Sequence, residues 1–460
     1  MLSWSVEASP AFPRAGPHAK PAFWSWNRGS GSAVGSARSV VATIGSTGAV
    51  TSTVGRDSAT GRLLTEIGVA AEPVPGQLTA LTMNGRLLTS GRVETFPFRV
   101  PMSWRSRAAL LRAGAKVRVA VMRYSRMSAP RPGESAAKRQ QRIYDFLNDR
   151  TFTDYVGVLP EDADALFRPT VSRSAGEPEE VSAGAGIGYF HLVWDRSGGL
   201  SRNIVGGPST FTEALAEALA EALADALGDR VVRGAKVREV ILHGGHAEIT
   251  YDGPDGENTV QAQRVIMATP APVTRTVVQN LNPDLDEALS KIVYGPYVSA
   301  AFLTDEEGPA RWDDCYAIAS PKRSFNVAFN MSSLIRGTEV ARQPGSSLMV
   351  FSPGNLARAL IDRSDEEILD TYIGDLGEIL PELSGHIAES QVQRWPLGLA
   401  YCFPGRAKLQ PVLTRDHGVL KLAGDYLGTG YTDTAVQTGA AAAARALAEI
   451  PRGAGVDWRR

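Results

Sequence analysis

The chain has 460 residues, 43% of them hydrophobic and 21% charged, with a formal net charge of −1. That length suits two domains of an ordinary soluble protein, and the near-zero charge removes the electrostatic case for nucleic acid. Cys315 and Cys402 lie too far apart in sequence to suggest a disulfide framework or a metal site, and no apolar run approaches the roughly 18 residues of a membrane span.

Residues 1–58 do not read as the start of a domain. They are rich in Ser, Gly, Pro and Ala, with Trp4, Trp24 and Trp26 at no helical or strand period. They lack a charged segment followed by an apolar core, so no secretory signal is expected and the cytoplasm is the default location. Gly29-Ser30-Gly31 and Gly184-Ala185-Gly186 imitate a dinucleotide-binding turn, but neither follows a strand pattern or has the third glycine in place.

From Gly61 the pattern is globular. Arg62 to Gly68 reads as a short helix with a glycine C-cap. Residues 78–100 alternate around Asn84-Gly85, a hairpin signal. From Trp104 to about Arg150 the pattern is helical and basic. The Arg and Lys residues of 105–142 read as a solvated face, with a membrane-surface role as the alternative. Val205-Gly206-Gly207 then precedes a helix capped by Thr210 or Thr212. Leu215, Leu219, Leu223 and Leu227 form a stripe on it that would pack on a sheet. Strands at Ala235–Leu242 and Ala247–Tyr251, with turns at Gly244-Gly245 and Asp255-Gly256, form a meander that leads to a strand ending in Ala268-Thr269-Pro270. Another strand runs from Val293 to Phe302. Arg394-Trp395-Pro396 and Tyr401-Cys402-Phe403-Pro404-Gly405 are aromatic segments that plain packing would explain equally well.

The most informative stretch is 419–448. An apolar strand, Val419 to Ala423, breaks at Gly424-Asp425, and a loop with Gly428 and Gly430 follows. Thr432, Asp433 and Thr434 stand where a helix N-cap belongs, and the helix from about Ala435 carries small residues on every face. Such a unit aims a helix N-terminus at an anionic or electron-rich ligand and lets a large planar group come close. An ordinary strand–turn–helix closing a domain is the simpler alternative.

Gly424-Asp425, Gly430-Tyr431-Thr432-Asp433-Thr434-Ala435-Val436 and Gly439 resemble the C-terminal flavin motif of the amine oxidase superfamily, which includes amine oxidases, protoporphyrinogen oxidases and phytoene-type desaturases. The helix and meander of 200–270 look like its second cofactor-domain segment. Glu177-Pro178-Glu179-Glu180-Val181-Ser182 loosely resembles the substrate-domain helices of protoporphyrinogen oxidases.

The resemblance implies an α/β fold: a discontinuous, Rossmann-type FAD-binding domain with an inserted α+β substrate domain. The cofactor domain would comprise an N-terminal unit (1–58), 200–270 and 411–450. The substrate domain would comprise 59–199 and 271–410, leaving 451–460 as a tail. It implies FAD contacts at Val237, Trp395, Gly424, Asp425, Tyr431 and Thr432, with Tyr401 and Tyr431 facing a small-molecule substrate. Val237 would serve equally as a buried strand valine. Amine oxidases of the superfamily commonly carry a lysine near the flavin where Ser299 aligns here. That departure favours the protoporphyrinogen oxidase and desaturase side, with a flavin amine oxidase or a non-catalytic member as alternatives. The chemistry implied is hydride removal from a C–H bond to flavin, with oxygen as the acceptor and peripheral membrane contact left open. Cys402 invites comparison with relatives that tether flavin through cysteine, but its spacing from Pro404-Gly405 does not match theirs. No acid, base or metal ligand is assigned.

The superfamily should open with a strand, a Gly-x-Gly-x-x-Gly turn and a helix. A displaced coding frame supplies one. If each codon takes the third base of one residue and the first two of the next, Leu2 through Phe12 become Val-Val-Val-Gly-Gly-Gly-(Ile/Leu)-(Ser/Ala)-Gly-Leu. Phe23 through Asn27 become Leu-Val-Leu-Glu, an acidic strand end about 20 residues on, where the ribose should bind. Ser32 through Ala37 become Gly-Gly-Arg-Val-Arg. As it stands, the leader lacks this ADP grip.

Overall fold

A computed structural model describes Leu2–Ser3 and residues 58–450 except 74–76, 92–94, 195–201, 205–231, 233, 255, 314 and 333–343. The displaced-frame segment beyond Ser3, the turn at Val205–Gly207 with its Thr210 or Thr212 cap, the leucine stripe of 215–227 and the tail from 451 lie outside the described residues.

The first described elements are strand β1 (Leu2–Ser3), helix α1 (Ala59–Glu66) and strands β2 (Ala71–Pro73), β3 (Gln77–Met83) and β4 (Arg86–Leu88). Ser58 caps α1 by accepting from the Gly61 amide, and Gly68 follows the helix at φ +70°, as the glycine stop requires. Asn84 and Gly85 both take positive φ between β3 and β4, the geometry of a tight hairpin.

Helices α2 (Phe96–Arg99), α3 (Trp104–Ser128), α4 (Ala136–Asp145), α5 (Phe152–Val156), α6 (Glu161–Ser172) and α7 (Ala183–Trp194) follow. Leu110, Val117, Tyr124, Phe152, Phe167, Val171 and Ile187 fill the core between α3 and α5–α7. This lobe closes tightly: a Cβ on Gly184 would lie 1.6 Å from the Phe146 carbonyl oxygen, so only glycine fits there.

Strand β5 (Arg202–Ile204) pairs with β2, and the expected meander is present as β6 (Lys236–Leu242), β7 (Ala247–Gly253) and β8 (Gly256–Ala262). Strand β9 (Val265–Met267) precedes helices α8 (Ala271–Val277) and α9 (Pro283–Ser290). The second half supplies β10 (Tyr294–Thr304), β11 (Cys315–Ala319), β12 (Val327–Asn330), β13 (Ser347–Pro353), α10 (Asn355–Leu360), α11 (Asp365–Ile379) and β14 (Ile387–Ala400). Helix α12 (Gln410–Thr414), β15 (Leu420–Leu422) and α13 (Thr432–Glu449) close the chain.

Two sheets organise these elements. β1, β9 and β15 form a parallel sheet with β9 in the middle, so segments from both ends of the sequence meet there. Side chains alternate across it. Ile266 packs with Ala442 and Ala446 of α13, while Val265, Met267, Leu420 and Leu422 pack with the meander and α9. The second sheet has seven strands in the order β14-β10-β13-β12-β11-β3-β4. Val298, Ala300 and Phe302 of β10 face α10 and α11 in a core with Phe325, Tyr372 and Leu376. The alternate residues of β10, Tyr297, Ser299 and Ala301, face the opposite way.

Candidate active site

β15 runs into Gly424, whose φ of 150° and cramped surroundings (a Cβ would lie 2.7 Å from the Tyr426 ring) leave no room for a side chain. A 3₁₀ turn, Asp425–Leu427, and the loop to Gly430 lead into α13. The Thr438 hydroxyl, two turns into that helix, accepts from the Gly424 amide at 3.0 Å and so ties strand end to helix. Desolvation raises the Asp425 carboxyl above the usual carboxylate range, partly offset by amide hydrogen bonds from its own residue and from Tyr426.

The expected side-chain N-cap is not observed. α13 begins at Thr432, the capping position is Tyr431, and no side chain among the described residues caps it. Asp433 is engaged elsewhere: its carboxylate accepts from the Thr60 amide at 2.9 Å and from the Thr60 hydroxyl at 3.1 Å, at the N-terminus of α1. Thr434 turns its hydroxyl to that of Thr429, 3.2 Å away. The Thr434 and Ala435 amides donate to the Tyr431 carbonyl, and those of Thr432 and Asp433 have no acceptor among the described residues.

Three consecutive carbonyls of the turn are held from behind by buried side chains. Arg406 Nη2 donates to the Tyr426 carbonyl and Gln410 Nε2 to the Leu427 carbonyl, both at 2.7 Å. The Tyr144 hydroxyl donates to the Gly428 carbonyl. Arg406 is only 3% exposed and lies over the Tyr144 ring, 4.8 Å from its centroid, which shields a cation with no ionic partner among the described residues.

The second sheet carries an aromatic ladder whose Tyr297 end lies toward Tyr431. Tyr297 stacks on Phe351 (5.4 Å between centroids), Phe351 meets Phe329 (5.9 Å), and Phe329 meets Tyr316 (5.4 Å), a ladder across β10, β13, β12 and β11. Tyr297 donates to the Arg173 carbonyl and reaches the helical lobe, where Tyr189 meets Tyr431 edge-on at 6.1 Å. Burial raises the Tyr297, Tyr189 and Tyr431 phenols far above their ordinary value, so all three stay neutral. The seam between sheet and lobe is close: a Cβ on Gly295 would stand 1.9 Å from the Ala175 carbonyl oxygen.

The structure distributes the sequence-derived residues over this arrangement. Gly424, Asp425, Tyr431 and Thr432 form one continuous unit. Val237 is half-buried on β6, in the cluster beneath β9 and β15. Trp395 lies opposite Tyr297 in the sheet register. Tyr401 is buried with the helical lobe, its ring against Gly176, in the cluster on which Tyr431 packs. Ser299 shares the ladder's face, and none of the seven strands carries a lysine. Cys402 is buried beside Tyr144, and desolvation raises its thiol above the ordinary value.

Sequence reasoning missed Arg406, Gln410, Tyr144, Tyr189 and Tyr297. Only the arginine beside Pro404-Gly405 offered any signal, and it was weak. A separate groove of about 450 Å³, lined by Phe152, Phe167 and Arg168, lies across α7, on the side of Phe190 rather than Tyr189.

A flavin presents apolar faces and a polar edge, and the residues at this end match both. Arg406 Nη1, Gln410 Oε1 and the hydroxyls of Tyr426 and Tyr431 are buried without a hydrogen-bond partner among the described residues, a costly state that a polar ligand would relieve. Together with the uncapped helix and the glycine turn, they fit the flavin half of FAD. Of the segments expected at the ADP half, Val237 lies on β6, and the displaced-frame segment beyond Ser3 lies outside the described residues.

A model of the flavin-containing amine oxidoreductase family matches residues 45–447. Among solved structures, wild-type putrescine oxidase bound to putrescine aligns over 85% of each chain at 17% identity, with a TM-score of 0.65. Cyclohexylamine oxidase from Brevibacterium oxydans IH-35A aligns over 85% of each chain at 15% identity, with a TM-score of 0.62. At such identities the structural likeness concerns the fold. No curated protein sequence matches.

Proposed function

This chain belongs to the flavin-containing amine oxidoreductase family and is an FAD-dependent oxidoreductase, and we propose that it oxidises a small, largely apolar amine with oxygen as acceptor. Ser299 in the usual lysine position had favoured a protoporphyrinogen oxidase or desaturase. The structural relatives, oxidases of putrescine and cyclohexylamine, support the amine reading better.

The observation that carries the proposal is the ladder Tyr297–Phe351–Phe329–Tyr316, continued by Val327, Ala301 and Met349 on the same side. No charged side chain stands among these residues. The ladder suits a hydrocarbon ring or chain attached to one amine and disfavours a diamine, whose second ammonium would be buried without a partner. When bound, FAD supplies the acceptor for two electrons. The chain binds and orients. Tyr431 and Thr432 begin the helix whose free amides would meet an electron-rich ring edge, and Asp425 with the Gly424 turn would hold the polar part behind it. The phenols of Tyr189, Tyr297 and Tyr431 stay neutral and would add no charge of their own beside the amine.

The test is anaerobic mixing of purified protein with cyclohexylamine, putrescine or a porphyrinogen, followed by absorbance near the flavin band and by peroxide release in air. Bleaching by cyclohexylamine ahead of the other two is expected. Bleaching by the porphyrinogen alone would reverse the choice of branch. Protein without a flavin band, and unable to take up added FAD, would instead be a non-catalytic member of the family.

A further inference from the structure

We propose that the outward face of α3 docks the enzyme on an anionic lipid surface. α3 carries seven Arg or Lys residues and no carboxylate, in a chain whose net charge is −1. Charge alone would indicate a solvated face. What changes the reading is the apolar row that the fold leaves outside.

The inner face of α3 is used up: Leu110, Ala113, Val117, Ala120, Val121 and Tyr124 are buried against the rest of the lobe. Yet Trp104 is 80% exposed, Leu111 50%, Val119 44% and Met122 47%. With Ala108 and Ala115 they recur at steps of three and four residues, so they form a single row along the solvent side. Phe98, 56% exposed, stands just before the helix. The row is flanked by cations. Arg105, Arg112 and Arg123 are exposed along one margin, and Arg126 closes its end. None of these four has an ion-pair partner among the described residues. Lys116 and Arg118, by contrast, lie over the rings of Tyr155 and Trp194. A helix about 37 Å long, apolar in the centre of its outer face and cationic at the margin, matches the acyl boundary and the phosphates of a bilayer surface.

Charge complementarity selects the occupant. A second copy meeting this face through a two-fold axis would oppose Arg to Arg along the whole helix. A nucleic-acid backbone would satisfy the cations but leave the Trp104–Met122 row wet. The contact is peripheral, since no described helix is long and apolar enough to cross a membrane.

Flotation of the full chain with vesicles of phosphatidylcholine, with or without a minority of phosphatidylglycerol, tests the proposal. Binding to the anionic vesicles only is expected, weakening as salt is raised. Each cation near the surface is worth about fivefold in partitioning, so the pair Arg112→Glu and Arg123→Glu should lower it at least about 25-fold. The pair Leu111→Ser and Met122→Ser should retain loose, salt-sensitive binding but lose the quenching by brominated lipid that Trp104→Phe also removes. Unchanged melting and flavin absorbance in these variants would exclude unfolding. Equal binding to neutral vesicles, no binding to anionic ones, or a wild-type dimer dissolved by the Leu111 and Met122 changes without any vesicle affinity would each overturn the proposal.

Discussion

The two walls of the proposed active site are built on different principles. The cofactor wall, Gly424 to Thr432, is made of backbone: a glycine turn, three carbonyls tied from behind and a helix start that no side chain caps. The substrate wall is made of side chains, an aromatic ladder across four strands. Backbone groups cannot be changed by substitution, so they suit a ligand that stays the same. A sheet face can be revised one residue at a time and suits a ligand that varies among relatives.

That contrast can be broken at graded cost. The severest break is at the seam between the walls. Gly295→Ala forces a Cβ into the Ala175 carbonyl, and overpacking of this kind costs about 3 kcal/mol, read as a lowered Tm of the apoprotein and poor soluble yield. On the cofactor wall, Asp425→Asn should weaken FAD about 100-fold, as loss of a charge-assisted hydrogen bond in a buried site does, measured by flavin fluorescence titration. The same variant carries a pH signature. Because the folded Asp425 carboxyl titrates above its unfolded value, the folded state holds more protons there. Apoprotein stability should fall as pH rises from the ordinary carboxylate value through the raised one. Asp425→Asn should flatten that slope, and a slope that persists would assign it to other groups.

Behind the turn, Tyr144→Phe or Gln410→Leu leaves a buried carbonyl unpaired. Each should loosen FAD about tenfold and speed amide hydrogen exchange in Thr429–Asp433. On the substrate wall, Phe351→Leu should raise KM for an apolar amine about fivefold with FAD affinity unchanged. Equal losses of both would mean that the walls are not independent. Smallest of all, Cys402→Ala should leave the flavin as it was, released completely by acid precipitation, since the thiol is buried and stays protonated.

Much of this was legible from local pattern. Asn84-Gly85 made its hairpin, Gly68 ended its helix, and the meander of 236–262 followed its alternation and turn glycines. The Gly424-Asp425 break and Gly430 marked the turn between β15 and α13. The cap of α13 was misjudged because Asp433 found a stronger claim at Thr60, 373 residues away. No local pattern shows a side chain such a partner.

The branch assignment shows the same limit from another side. A single aligned position, Ser299, pointed toward protoporphyrinogen oxidases. The ladder around it, four aromatics from four strands, underlies the proposed amine reading and could be seen only once the strands were in register. Likewise, a row of Arg and Lys in sequence does not say which side of a helix its neighbours will claim. Packing buried one face of α3 and left Trp104, Leu111, Val119 and Met122 outside.

By itself the sequence determined the family, the cofactor class and the strand–glycine–helix unit that defines both, because those rest on backbone conformations written in consecutive residues. Only the tertiary structure decided the three-donor support behind the turn, the aromatic wall opposite it and the exposed face of α3. Each brings together groups from distant parts of the chain, as far apart as Tyr144 and Gly428. Such contacts follow from how whole elements pack, and no short window of residues encodes that.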